Sequence, residues 1–119
     1  MGLILVHLAI SMLHGGAHQH LLIGLSESQQ FFVWTVILAA PLVAALLLLV
    51  KLPRAGGLLL SFSMAGSLVF GLWNHFLIPG ADNVGSTPSA GWGLTFQVTA
   101  ALLLLTEALG CAAGITLLR

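Results

Sequence analysis

The sequence predicts an all-α integral membrane protein, an antiparallel bundle of four transmembrane helices with both termini in the cytoplasm. Three observations carry that expectation: the composition, four apolar runs of spanning length, and the placement of the few charges. Of 119 residues, 59% are hydrophobic and 5% are charged. A soluble domain draws about a quarter of its residues from the charged types, so this chain cannot maintain a water-facing surface. Three basic and three acidic residues also cannot form the phosphate-tracking stripe that nucleic acid requires. The partner the composition implies is the lipid bilayer. Cys111, the single cysteine, lies in an apolar run and has no intrachain disulfide partner.

A spanning helix takes about 20 mainly apolar residues, and the runs Gly2–Gly24, Phe31–Val50, Gly56–Ile78 and Leu94–Leu118 each reach that length. No Lys or Arg precedes the first run and no small-x-small cleavage site ends it, so it reads as a retained helix rather than a signal peptide. The connectors are Leu25–Gln30, a tight Lys51-Leu-Pro-Arg54 turn, and the Pro/Gly-rich loop Pro79–Gly93. Residues 1–119 are expected to form one transmembrane domain.

Four crossings put both termini on one side together with the second connector. Lys51, Arg54 and Arg119, the only basic residues, all fall there, and Glu27 and Asp82 fall opposite. The positive-inside rule then makes that side cytoplasmic. Trp34, Trp73 and Trp92 fall near the outer helix ends, where an aromatic belt belongs. The expected location is the cytoplasmic membrane of a prokaryote. Gly110 and Gly114 form a GxxxG pair, and Gly57, Ser61, Met64 and Gly71 follow one face of the third helix, suiting close helix packing in lipid. Pro41 interrupts the second helix and leaves the Ile37 carbonyl without its usual donor.

The first helix carries the chemistry. His7, Ser11, His14 and His18 recur at spacings of 4, 3 and 4, and at about 100° per residue the three imidazoles fall within roughly 40°. Polar groups in hydrocarbon are costly and point to a bundle interior or a wet cavity. His75 in the third helix and Glu107 in the fourth answer the stripe. Counting about 1.5 Å per residue from the outer ends sorts them into two levels. An outer level holds His14, His18 and His75; an inner level holds His7 and Glu107.

At the outer level, the i,i+4 pair His14 and His18 is spaced to share a metal, with His75 supplying a third nitrogen. Three imidazoles suit Zn, Cu, Fe or Ni and leave a position open. The other cofactor they could hold is haem b, between a first-helix histidine and His75, with Gly15, Gly16 and Gly71 making room for the macrocycle. The plain alternative is interhelical hydrogen bonding, at about 1 kcal/mol each. His20 lies off the stripe and reads as a solvated end residue. At the inner level, hydrocarbon disfavours a bare carboxylate, so Glu107 is expected to be neutral or paired, with His7 as its partner. That pair could form a packing contact, a proton relay or a second metal site. Asp82 and Asn83 follow the His75 turn and could fold back as lid or ligand, or form an ordinary polar turn.

The string FGLWNHFLIPGADNV from Phe70 to Val84, with HGGAH upstream and Glu107 downstream, is similar to small four-span prokaryotic membrane proteins. That resemblance implies no activity. In size the chain also resembles small multidrug exporters, four-span proteins that dimerise. Their essential carboxylate lies in the first helix, where this chain has histidines, so the likeness ends at the residue that matters.

Three functions remain open. The first is a membrane-embedded metal or haem site for redox chemistry, metal handling or sensing. The second is a proton-linked transporter or channel subunit using the histidine stripe and Glu107; a chain this short has no room for an inverted repeat, so it would work as a homo-oligomer. The third is an accessory subunit of a larger membrane complex. No motif pairs Ser or Cys with a base and an orienting carboxylate, and phosphate-binding loops are absent.

Overall fold

A computed structural model describes all 119 residues, and they form helices and connectors with no strand. We number the helices α1 (Gly2–His20), α2 (Glu27–Leu49), α3 (Pro53–Leu77) and α4 (Gly91–Thr116); a single 3-10 turn, Val84–Ser86, lies in the last loop. Helices α2, α3 and α4 are each long and apolar enough to cross a membrane. The 19-residue α1 is long enough but less apolar, because four histidines and Gln19 dilute its run. Burial is inverted relative to a soluble protein. Leu46, Phe62 and Val69 are exposed, whereas four of the five histidines and Glu107 are buried.

The helix ends differ from the hydrophobic runs for local reasons. α1 stops at His20 because the chain turns left-handed at Leu22 (φ 55°). The Leu22 N–H then donates to Gln19 O (3.2 Å) and the Ile23 N–H to His18 O (3.0 Å), the paired bonds of a Schellman motif. The end of α2 repeats it: Lys51 (φ 61°) donates to Leu48 O at 3.2 Å and Leu52 to Leu47 O at 2.9 Å. Neither left-handed residue is glycine, which costs about 1 kcal/mol at each. α2 begins four residues before its apolar run. There the Ser26 hydroxyl accepts from the Gln29 N–H (3.2 Å) and Gln29 Oε1 accepts from the Ser26 N–H (2.8 Å), a complete capping box. Pro53 opens α3 in the first turn, where its missing N–H costs nothing.

Two helices widen into π turns. In α2 the segment is Val33–Ala39, just ahead of Pro41. The Ile37 carbonyl that Pro41 deprives of a donor accepts instead from His7 Nε2–H at 3.3 Å. In α3 the last turn, Trp73–Leu77, is π and carries His75. Asn74 Nδ2 donates to the Phe70 carbonyl (2.9 Å) and Gln29 Nε2 to Asn74 Oδ1 (3.1 Å), tying the starts and ends of α2 and α3 together.

Packing rests on missing side chains. A Cβ at Gly110 would lie 2.7 Å from Met64 Cγ, one at Gly114 2.7 Å from Gly57 O, and one at Gly57 2.8 Å from Gly114 O. The GxxxG pair therefore faces α3 and brings the two backbones together, and Ser61 Oγ donates to Cys111 O across the seam (3.3 Å). α1 leans on α4 and α2 on α3, while α1 and α2 hardly meet. A gap remains between them.

Candidate metal centre

The stripe on α1 and the π turn of α3 bring His14, His18 and His75 together. All three are buried, and one ring nitrogen of each lies within 4.8 Å of the others. The fully buried Ala17 lets this stretch of α1 sit close to its neighbours. Phe96 of α4 forms the apolar floor. It stacks on His14 at a centroid distance of 4.7 Å and meets the rings of His18 and His75 at 5.1 and 5.3 Å.

The partner at each ring nitrogen assigns a tautomer to each imidazole. His14 Nδ1 lies 2.8 Å from Thr99 Oγ1, which is also 2.7 Å from the Thr95 carbonyl; with the hydroxyl proton directed to that carbonyl, the nitrogen is the donor. His18 Nδ1 donates to the Ile23 carbonyl (3.3 Å) and His75 Nδ1 to the Asp82 carbonyl (3.0 Å), because a carbonyl only accepts. In the tautomers that suit these partners every Nδ1 carries the proton and every Nε2 presents a lone pair. Yet His14 Nε2 and His75 Nε2 lie 3.2 Å apart. His18 Nε2 meets a second acceptor, Asp82 Oδ1, also at 3.2 Å.

Acceptors in a buried site stand this close only with a proton or a cation between them, since each unsatisfied buried group costs about 1–3 kcal/mol. A tetrahedral ion with nitrogens at about 2.0–2.1 Å spaces them roughly 3.3 Å apart, close to the observed edge. Imidazoles that ligate through Nε2 while Nδ1–H is held by a carbonyl or hydroxyl are the usual supported arrangement around a metal.

Asp82 folds back over this cluster. Its Oδ1 also lies 3.1 Å from His75 Nδ1, but that N–H is directed at the Asp82 peptide carbonyl, and neither carboxylate oxygen gains a hydrogen-bond donor although both are buried. The loop is held from both sides: Asn83 Oδ1 caps Val84–Ser86 and Gln97 Nε2 donates to Val84 O (3.2 Å) and Thr87 O (3.0 Å). A buried carboxylate without a hydrogen-bond donor thus lies 3.2 Å from His18 Nε2, beside three imidazoles that could hold a metal ion.

The inner level is arranged differently from the expected His7–Glu107 pair. Thr106, not Glu107, approaches His7 (Oγ1 to Nδ1, 3.5 Å), and the other ring nitrogen serves Ile37 O. Glu107 is one residue further along α4, about 100° around the helix. It lies instead beside Gly71, its Oε2 buried without a partner. His20 stands apart from the cluster and stacks on Trp92 (4.1 Å, 7°).

Thr99, Phe96 and the Ile23 carbonyl complete the site without having been identified from the sequence. Thr95, Thr99 and Thr106 do recur near helical spacing on α4, which is the one signal that could have pointed there. Comparison with protein-family models, curated proteins and solved structures gives no match. What can be said of function rests on the chemistry of these side chains.

Proposed function

We propose that this protein is a four-helix membrane bundle that binds one divalent transition-metal ion through Nε2 of His14, His18 and His75, with Asp82 closing the site. We read the bundle as antiparallel, with both termini cytoplasmic. The opposite order of contacts along α3 and α4 (Gly57 with Gly114, Met64 with Gly110, Gly71 with Leu104) supports the first point, and the basic residues support the second. The observation that carries the metal is the pair of acceptor–acceptor contacts at 3.2 Å, which a cation turns from repulsive to bonding.

Three imidazoles and one carboxylate at this spacing favour a four-coordinate ion such as Zn2+. With Fe or Cu the same site would support redox chemistry; with Zn, metal handling or sensing. A macrocycle held between His14 and His75 is disfavoured, because bonds from both nitrogens to one iron on opposite faces need roughly 4 Å between them. A role as a subunit of a larger complex or as a homo-oligomer remains compatible with the exposed apolar surface.

Elemental analysis and an absorption spectrum of the detergent-purified protein test the proposal. It expects one Zn, Cu or Fe per chain and no Soret band. Metal at background level, or stoichiometric haem, would contradict it. Reporter fusions at both termini and at Ser86 test the orientation: cytoplasmic reporters should be active at the ends and a periplasmic one at Ser86.

A further inference from the structure

The gap between α1 and α2 is a chamber of about 700 Å³. Its deep wall holds His14, His18, His75, Ser67 and Glu107, and its mouth lies at Met12, Leu22 and Trp34, all exposed and apolar. Volume and lining match a small-molecule site rather than a packing fault.

Three features indicate what it takes. Glu107 is only 2% exposed, yet its Oε2 has no hydrogen-bond partner. A Cβ at Gly71 would lie 3.8 Å from that oxygen and 4.0 Å from His75 Cδ2, so the carboxyl and the imidazole share one corner. The glycines between the two first-helix ligands, Gly15 and Gly16, also line the chamber, and a Cβ at either would meet nothing within 4 Å. They are not packing glycines; their missing side chains widen the chamber. Finally, no Lys or Arg lines the wall, so an anionic head finds no counter-ion there, and an ion at the imidazoles would repel a cationic one. A neutral oxygen fits, because it can accept from a carboxyl O–H and approach the cluster.

We infer that the chamber binds a bilayer-soluble amphiphile, an apolar ring or chain whose head carries carbonyl or hydroxyl oxygens, with the head between Glu107 and the three imidazoles and the body toward Trp34. This inference rests on the membrane reading of the bundle; the chamber itself does not require the metal.

The test uses full-length protein in phosphatidylcholine nanodiscs, with Trp73→Phe and Trp92→Phe leaving Trp34 as the only fluorophore. The probe is decylbenzoquinone, and Zn, Cu and Fe contents are measured on every sample. Saturable quenching of Trp34 at one site per chain is expected. Gly16→Leu should lose the saturable component while keeping its zinc. Glu107→Leu should bind about tenfold more weakly, the loss of one hydrogen bond to the head, and Glu107→Gln should retain most of the affinity. If Gly16→Leu does not assemble, Gly15→Leu, which lines the chamber about 100° further round α1, narrows it in its place. Quenching that rises linearly with probe and is equal in all variants would overturn the inference, as would a tightly held phospholipid that the probe cannot displace. Saturable binding by a wild-type protein that takes up no Zn, Cu or Fe would end the metal reading and leave the chamber standing.

Discussion

His7 and His14 lie two turns apart on one face of one helix, and both are buried, yet the structure gives them different neighbours. At His7 a protein group stands at each ring nitrogen, the Ile37 carbonyl at one and the Thr106 hydroxyl at the other. It repairs the backbone where Pro41 breaks it and fastens α1 to α2. At His14 only Nδ1 is satisfied, by Thr99, and Nε2 is left against another imidazole. On the proposed reading, the stripe of histidines contains both a fastener and a ligand. The neighbour of the second ring nitrogen differs: a hydroxyl at 3.5 Å for His7, an imidazole nitrogen at 3.2 Å for His14.

The largest effect expected from this contrast is on metal content. His14→Ala, His18→Ala or His75→Ala should each reduce zinc affinity by at least about 100-fold, because the remaining donors cannot hold the ion. His7→Ala should leave one zinc per chain and lower thermal stability instead, by about 1–2 kcal/mol for the orphaned carbonyl. Zinc lost from His7→Ala in folded protein would erase the distinction. Thr99→Val comes next: it keeps the shape but removes the acceptor that orients His14, and should weaken zinc about 10–100-fold, as outer-shell changes do. Acidification acts on the same nitrogens. Imidazole binds metal only when Nε2 is free of a proton, so affinity measured by competition with a chelator should fall from pH 7.5 to pH 5.5. Asp82→Asn should cost about tenfold by removing the charge while preserving the turn through its main-chain carbonyl. The smallest effect belongs to His20→Ala, which removes only the stack on Trp92 and should leave affinity unchanged.

Much of this arrangement can be read along the chain, but only where periodicity reports it. The apolar runs locate α2, α3 and α4, and the spacing of His14 and His18 alone places them on one face. The Pro41 gap at Ile37 and the presence of His7 are each visible too, but their meeting joins residues thirty positions apart. The left-handed turns at Leu22 and Lys51 lack the glycine that would mark them. Nothing in the composition distinguishes the π turn under His75 from an ordinary last turn. The adjacency of Thr106 and Glu107 hides the remaining difference, because neighbours on a helix point about 100° apart and meet different partners.

X-ray absorption at the zinc edge of metal-loaded protein tests the central claim most directly. The account predicts one zinc per chain with four nitrogen or oxygen neighbours at about 2.0 Å and the outer-shell scattering of three imidazoles. Zinc surrounded mainly by water oxygens, or by one imidazole at most, would show that the three histidines converge for packing or protons and not for a metal.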